Sequence, residues 1–242
     1  MNDMEHSQPL EKRLAAVIGN YTDAAGNIDY SAIEMATDVF EYVDGLPDYD
    51  LSRLRGRREQ IAFWINTYNM LSIAGILKAI KRNPGFVKTG HRGMLHKARF
   101  FFTDRHIVGG EKLSLDAIEK KLRLELKEPR VHFALVCGSE SCPPLKGGLY
   151  SGDGLDRELD MAAKIFIGSP KGVVLDKENG TIHLSKIFRW YKRDFGPDET
   201  SMLRFIAQYH PQGDYIAREA GRLKVVYMRY DWSLNQAGPR SD

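Results

Sequence analysis

The chain has 242 residues, of which 43% are hydrophobic and 28% are charged, and its formal net charge at pH 7 is +3. This length and composition are enough to bury a substantial core, and we expect one large globular domain. The small net charge gives no overall attraction to nucleic acid, so no nucleic-acid partner is expected.

The N-terminal sequence MNDMEHSQPLEKRL lacks the basic and apolar regions of a secretory signal peptide. It therefore predicts a cytoplasmic protein, or an extracytoplasmic one if the natural chain extends beyond this end. Residues 1–54 form the expected N-terminal segment, with helices near 8–19 and 31–43 that pack on the core. Eight acidic residues and no Lys or Arg occur from Asp23 to Asp50, which indicates a solvated acidic face.

The longest predicted helix covers residues 57–82 and ends before Pro84, because proline disfavours helix continuation. Its segment from Ile61 to Leu77 has no charge but carries several polar side chains. That length and polarity favour a helix buried in a soluble core over a membrane span.

Two amides on that helix need partners. Asn66 and Asn69 are three residues apart and therefore share a face. An amide buried without a hydrogen bond costs roughly 1–3 kcal/mol, so both side chains should bond something definite. The candidates are His132, a substrate and the backbone of the loop at 138–144.

A basic stretch at 78–106 follows, with eight Lys or Arg residues against Asp104 alone. It is either a solvated face or a region that attracts an anionic ligand, and in the second case its cations should converge on one cleft near Cys142. Two apolar runs flank residues 103–105, and we predict a β-hairpin with its turn there.

The next elements lead to the cysteines. Ser114 is the predicted N-cap of a helix that Pro129 ends. Residues 131–137 are typical of an apolar strand, with His132 and Cys137 on opposite faces. Cys142 follows in a loop rich in glycine, serine and proline.

Short helices and strands alternate in the rest of the chain, which favours an α+β fold. We expect an antiparallel sheet of short strands and hairpins, packed with several helices around the one long buried helix. The predicted elements are a helix at 154–167, a hairpin with its turn at 176–180, helices around 185–194 and 198–209, a strand within 222–230 and a frayed tail at 236–242.

Five ordered blocks stand out: FWINTYN (63–69), LSLDAIE (113–119), RVHFALVCGSESCPPL (130–145), IFRWYKRDF (187–195) and YDWSLN (230–235). Together they resemble domain-of-unknown-function family 547, over roughly residues 55–235. Members of that family occur as free-standing bacterial and archaeal proteins and as the C-terminal part of plant proteins with a coiled-coil segment. Many members have His where Lys120 follows Glu119, which weakens a mechanism that needs a histidine there.

The cysteine loop suggests thiol chemistry. Cys142 is the candidate nucleophile, since preceding loop amides could stabilise an oxyanion, and Cys137 is expected to be a buried core residue with the higher pKa. His132 is the candidate base, and Glu119 or an asparagine would orient its ring. The candidate substrate-binding residues are Asn66, Asn69, Ser139 and Ser141.

Two functions from different classes remain open. One is a thiol-dependent hydrolase or acyltransferase acting on a peptide- or amide-like substrate, with a fold loosely similar to papain-like or transglutaminase-like proteins. The other is a non-catalytic module that binds a peptide or protein. We expect no metal site, because His91 and His96 lack the i, i+4 spacing and no Cys-x-x-Cys occurs. No nucleotide motif is present, and no cofactor is expected.

Overall fold

The computed structural model describes residues 10–23, 25–33 and 37–237. Its α-helices are α1 (Leu10–Asn20), α2 (Tyr30–Ile33), α3 (Asp38–Gly45), α4 (Arg57–Arg82), α5 (Phe86–Thr89), α6 (Met94–Lys97), α7 (Leu115–Lys120), α8 (Leu155–Ile167), α9 (Lys186–Trp190), α10 (Glu199–Ala207) and α11 (Gly213–Glu219). Its strands are β1 (His106–Val108), β2 (Glu111–Leu113), β3 (Val173–Asp176), β4 (Thr181–Leu184) and β5 (Lys224–Tyr227). Short 3₁₀ or π-helical turns lie at Leu51–Arg53, Gly90–Arg92, Ala98–Thr103, Lys121–Glu125, Pro129–Phe133 and Lys192–Asp194.

Helix α4 is the centre of the first of two hydrophobic cores. Every residue from Ile61 to Leu77 except Gly75 is buried, and both predicted ends of this helix are confirmed. A methyl group added at Gly75 would lie 2.8 Å from the ring of Phe100, so the missing side chain lets that ring pack on the helix. In the described part of the chain, no helix combines the length and apolar composition that a membrane crossing requires.

The N-terminal helices pack on this first core, as Leu14 and Ile18 of α1 and Val39 of α3 are fully buried in it. The predicted helix at 31–43 corresponds to α2 and α3, and residues 34–36 between them lie outside the described residues. Residues 8 and 9 of the first predicted helix also lie outside them.

The second core is formed by α8 to α11 and a sheet of order β3-β4-β5. β3 and β4 form the predicted hairpin, with Val173 opposite Leu184. β5 lies parallel to β4, which corrects the expectation of a wholly antiparallel sheet. Helices α9, α10 and α11 connect β4 to β5, and a helical crossover returns a strand in the parallel direction. The fold class is α+β, with two small sheets.

The hairpin predicted around residues 103–105 is wrong in position. Residues 98–103 continue the helical path of α6, and the chain turns at Gly109 and Gly110 between β1 and β2. Both glycines have positive φ, of 55° and 79°. A two-residue hairpin turn favours such angles, which glycine adopts without steric cost.

The strand predicted at 131–137 is also wrong. Pro129 begins a 3₁₀ helix that ends at Phe133, and the Glu128 carboxylate accepts the backbone N–H of Arg130. Val131 is buried in the first core and Phe133 in the second. The apolar pattern resembles that of a strand because this segment is buried between two cores, where neighbouring residues on opposite sides must all be apolar.

The end of the described chain returns to the N-terminal segment. Gln236 forms a bridge with Ile28, and the N–H of Ala237 donates to the Ile28 carbonyl. The sequence predicts a frayed tail from residue 236 onward, but residues 236 and 237 are held by these contacts. Residues 238–242 lie outside the described residues.

Candidate functional site

A sharp turn at Gly138 creates the cysteine loop. Gly138 has φ of +75°, and a side chain there would place its Cβ 2.3 Å from Ile76 of α4. Only glycine fits this turn without strain. The turn directs the chain back, and the N–H of Cys142 donates to the Ser139 carbonyl at 2.9 Å.

The C-terminal segment 230–235 holds this loop in place. The N–H of Glu140 donates to the Ser233 carbonyl at 2.7 Å, and the N–H of Asn235 donates to the Gly138 carbonyl at 2.9 Å. On its other side the segment is fixed by the N–H of His91, which donates to the Trp232 carbonyl at 2.8 Å. The sequence blocks at 130–145 and 230–235 are therefore paired in space.

The two thiols of the loop are in contact. Both cysteines are free, and their sulfur atoms lie 3.0 Å apart. The N–H of Cys137 donates to the sulfur of Cys142 at 3.0 Å. Cys137 is also within 3.4 Å of the Ser139 hydroxyl and 3.5 Å of the Tyr230 hydroxyl.

These contacts separate the acidities of the two thiols. Hydrogen bonding with Cys142, and then with Ser139 and Tyr230, lowers the pKa of Cys137 to about 6 against the opposing effect of burial. Burial, and then the contact with Cys137, raises the pKa of Cys142 well above its ordinary value. These contacts therefore favour ionisation of Cys137 over ionisation of Cys142.

The order of exposure expected for the two cysteines is reversed. Cys137 is half-buried, whereas Cys142 is buried with 5% of its surface exposed. The expected order assumed a strand that would direct the Cys137 side chain into the core, and residues 135–137 do not form a strand. The turn at Gly138 instead places Cys142 beneath the backbone of Cys137.

Both sulfur-bearing residues line a cavity of about 420 Å³. The same cavity contains Glu119 and His132, so the three predicted catalytic residues lie around one space. Its lining includes seven aromatic side chains: Tyr68, Phe101, Phe102, Trp190, Tyr191, Tyr230 and Trp232. Phe102 and Trp190 are about half exposed, which gives the entrance an apolar rim.

Glu119 is a largely buried acid in this cavity, with 16% of its side chain exposed. Burial raises its pKa to about 7, although the Tyr191 hydroxyl and the Arg123 guanidinium favour the ionised form. Arg123 lies 3.7 Å from the Glu119 carboxylate. A carboxyl group that titrates near pH 7 can both donate and accept protons under ordinary conditions.

His132 is bonded to a carboxylate rather than to a thiol. Its Nε2 lies 2.7 Å from the Asp194 carboxylate, which also accepts from Arg123 Nε at 2.6 Å. The imidazole ring stacks on Tyr191, with ring centres 4.1 Å apart. Among the described residues, no hydrogen bond joins His132 to either cysteine. Burial lowers its pKa despite Asp194, so the ring is neutral at pH 7.

The predicted burial of Asn66 and Asn69 is confirmed, but their partners are not those expected. Asn66 exchanges two hydrogen bonds of 2.9 Å with the backbone of Tyr150. Asn69 bonds the Ala134 carbonyl at 3.0 Å and the Val136 N–H at 2.8 Å. Asn69 thus fixes the chain that leads into the cysteine loop, and Asn66 fixes the chain that follows it. Neither asparagine lines the cavity.

The predicted serines also act within the loop. Ser139 is fully buried and its hydroxyl contacts the Cys137 thiol, while the Ser141 hydroxyl accepts the N–H of Asp231 at 2.9 Å.

Of the basic stretch at 78–106, Lys97 lines the thiol cavity, where its ammonium group lies 4.2 Å from the Trp232 ring centre. The other converging cations line a separate cavity and not the cleft near Cys142.

Sequence reasoning gave Tyr191, Tyr230 and Asp194 no catalytic role. All three residues belong to sequence blocks that stand out, at 187–195 and 230–235. In both blocks, polar residues are mixed with apolar residues that pack on the core. Their approach to the cysteines depends on contacts between distant parts of the chain. In the described part of the chain, no group of three or more His, Cys, Asp or Glu side chains is arranged to hold a metal ion.

A family model described as "Protein of unknown function, DUF547" matches residues 51–167. This part of the chain, residues 51–167, belongs to the DUF547 family. The match confirms the resemblance seen in the sequence and ends with α8, short of the range to 235 over which we saw it. The DUF547 residues thus include Glu119, His132 and both cysteines, whereas Tyr191 and Tyr230, which line the same cavity, lie beyond the matched range.

No curated protein and no solved structure matches the chain. The likeness to papain-like and transglutaminase-like folds stays a prediction.

Proposed function

We propose that Cys137 and Cys142 form the reactive dithiol of a thiol–disulfide exchange site, with Cys137 as the attacking group. The observation that carries this proposal is the 3.0 Å distance between the two sulfur atoms, one in a partly buried residue and the other in a buried one. The attacking thiol in such exchange needs a low pKa and access, and the resolving thiol must reach the sulfur that was attacked. The pair meets both requirements.

The proposed reaction proceeds in two balanced steps. The Cys137 thiolate attacks one sulfur of a substrate disulfide, the substrate S–S bond breaks, and one substrate thiolate leaves. Cys142 then loses its proton and attacks the Cys137 sulfur, which forms the Cys137–Cys142 disulfide and releases the second substrate thiolate. The substrate gains the two electrons that the protein dithiol loses.

Glu119 is the group that we assign to proton transfer in these steps. Its pKa of about 7 lets it give a proton to a leaving thiolate and take one from Cys142 near neutral pH. The apolar rim formed by Phe102 and Trp190 suits a peptide or protein disulfide with aromatic or aliphatic neighbours.

The thiol-dependent hydrolase or acyltransferase is the second candidate, and one observation favours it. A nucleophilic thiol and a carboxyl group of pKa about 7 line the same cavity, as acyl transfer to a peptide- or amide-like substrate would need. In that mechanism Cys137 replaces Cys142 as nucleophile and Glu119 replaces His132 as base. Cys142 would have no chemical step.

A trapping experiment separates these functions. The probe is the disulfide-linked dimer of the peptide acetyl-Phe-Cys-Phe-amide, and intact-mass spectrometry follows the protein. In the exchange mechanism the unmodified protein ends as the internal disulfide, whereas Cys142→Ser stops as a mixed disulfide with the peptide on Cys137. Cys137→Ser should react more slowly by roughly tenfold or more, because the buried Cys142 keeps its proton.

The two single variants serve as matched controls for each other, since each loses one sulfur atom from the same loop. Equal reaction rates of the two variants, or peptide attached to Cys142, would contradict the exchange mechanism. A hydrolase would instead release the leaving group of an N-acyl peptide ester with Cys142→Ser as fast as with the unmodified protein. If neither probe reacts at Cys137, the peptide-binding module becomes the better account.

A further inference from the structure

A second cavity, of about 290 Å³, lies between the C-terminal half of α4 and the segment that follows α6. Four cationic side chains line it. Lys78 and Arg82 belong to the last turns of α4, and Arg99 and Arg105 belong to the segment opposite. Among the described residues of its lining, Asp104 is the only carboxylate. Two elements that are apart in sequence thus place their positive charges around one space.

This positive charge is poorly neutralised. Arg99 donates to Asp104 at 3.1 Å. Lys78 and Arg82 form no ion pair with any carboxylate in the part of the chain that the structure describes. Four cations therefore face one carboxylate, and the cavity keeps an excess of positive charge that would attract an anion.

The pKa values of two histidines in the cavity lining are affected by these cations. Burial lowers the pKa of His96, and Arg82 and Arg99 lower it further against the effect of Asp104. Burial also lowers the pKa of His106, with Lys78 acting in the same direction. Near pH 7 both rings are neutral, so each can donate an N–H without adding charge. The Nε2 atom of His96 is buried and has no hydrogen-bond partner among the described residues.

The floor of the cavity is apolar and tightly packed. Ala74 and Gly75 of α4 face Phe100, whose ring can approach the helix only because Gly75 has no side chain. The four cations are themselves exposed and line one cavity together with this apolar floor. This combination suits a ligand with a charged head and a small organic body.

We propose that this cavity binds a small soluble oxyanion of the phosphate-ester class. Arginine offers paired donors that match phosphate oxygens, and two arginines with a lysine can neutralise a doubly charged group. A water molecule occupies about 30 Å³ in the liquid, so a cavity of this size admits a phosphate group and part of the body attached to it. The site is separate from the thiol cavity and does not depend on the proposed exchange reaction.

Inorganic pyrophosphate is the probe, and isothermal titration calorimetry at low salt measures its affinity. The test variant is Lys78→Gln/Arg82→Gln. The charge-matched control is Lys81→Gln/Lys88→Gln, which removes two exposed cations from the same region that do not line the cavity. Loss of two cavity cations should raise the Kd by roughly tenfold or more. The control should change it less than about threefold, because charges that do not line the cavity are farther from the ligand and more strongly screened by salt.

NMR of the histidine ring signals shows whether the ligand binds in this cavity. Pyrophosphate should shift the ring signals of His96 and His106 and leave those of His183 in β4 unchanged. Equal loss of affinity in both double variants would overturn the proposal, as would binding without a change at either cavity histidine. Binding to phosphatidic acid vesicles without binding of pyrophosphate would also overturn it, since it would indicate a lipid surface rather than a soluble anion.

Discussion

At the scale of single residues, the distinctive feature is the unequal pair of thiols. The sequence places both cysteines in one block, and their type suggested thiol chemistry. It did not indicate which one is accessible, because that depends on the turn at Gly138 and on the hydroxyl of Tyr230, which lies 93 residues from Cys137. The apolar run before Cys137 therefore predicts a core residue, whereas Cys137 in fact lines the cavity.

Thiol alkylation tests the assignment of the thiolate. Iodoacetamide should modify Cys137 first, with a rate that rises through a midpoint near pH 6, since only the thiolate reacts. Cys142→Ala removes the main hydrogen bond to that thiolate, so the midpoint should move toward the ordinary thiol value of 9.0. Rates are measured by mass spectrometry of peptides over a pH series.

Cys142→Ser is the conservative control for that experiment. Its hydroxyl keeps a donor beside Cys137, so its midpoint should stay closer to that of the unmodified protein than the midpoint of Cys142→Ala. An unchanged midpoint in Cys142→Ala, or faster alkylation of Cys142 than of Cys137, would show that the thiolate is not held as described.

At the scale of elements, the sequence was informative where the pattern is local. Helix α4 was predicted with both ends, because a long uncharged run followed by Asn83-Pro84 determines it. The hairpin of β3 and β4 was predicted from its turn residues. Segments whose conformation depends on distant packing were not predicted. In 98–103, Phe100 packs against Gly75 of α4, and 131–137 is held by the Asn69 amide of α4 rather than by a neighbouring strand.

The contact between α4 and the segment after α6 can be tested at Gly75. Gly75→Ala should lower the free energy of unfolding by about 1–2 kcal/mol, because the clash with Phe100 outweighs the gain in helix propensity. Gly19→Ala in α1 is the matched control, since its Cβ would meet no atom within 4 Å. It should be neutral or raise the free energy by up to about 1 kcal/mol. Urea unfolding followed by circular dichroism measures both.

Combining Gly75→Ala with Phe100→Leu identifies the cause. The smaller side chain makes room for the new methyl group, so the double variant should lose less stability than the sum of the two single variants. Additive losses would mean that the cost of Gly75→Ala does not come from the ring of Phe100.

At the scale of the whole molecule, one segment connects the two cavities. Residues 94–103 place His96, Arg99 and Phe100 toward the basic cavity and Lys97, Phe101 and Phe102 toward the thiol cavity. The C-terminal segment 230–235 closes the thiol cavity from the other side and joins the N-terminal segment through Tyr30 and Asn235, 205 residues apart. Such pairings have no local signature, so the sequence could suggest the members of the site but not their arrangement.

The burial of Glu119 affects the stability of the whole protein. The folded protein holds a proton on Glu119 up to about pH 7, whereas the unfolded chain releases it near 4.5. The unfolded state therefore binds fewer protons in this range, and the free energy of unfolding contributed by Glu119 falls as the pH rises from about 4.5 to 7. One pKa unit corresponds to about 1.4 kcal/mol, so this fall amounts to about 3 kcal/mol.

Glu119→Gln removes that dependence, because glutamine stays neutral and keeps a carbonyl that accepts from the Tyr191 hydroxyl. Relative to the unmodified protein, the variant should gain about 3 kcal/mol between pH 4.5 and pH 8 in urea unfolding. Glu125→Gln is the matched control, since the Glu125 side chain is 66% exposed, and its curve should run parallel to that of the unmodified protein. Parallel curves for Glu119→Gln as well would mean that Glu119 ionises in the folded protein as readily as in the unfolded chain, and the proton-transfer role assigned to it would lose its basis.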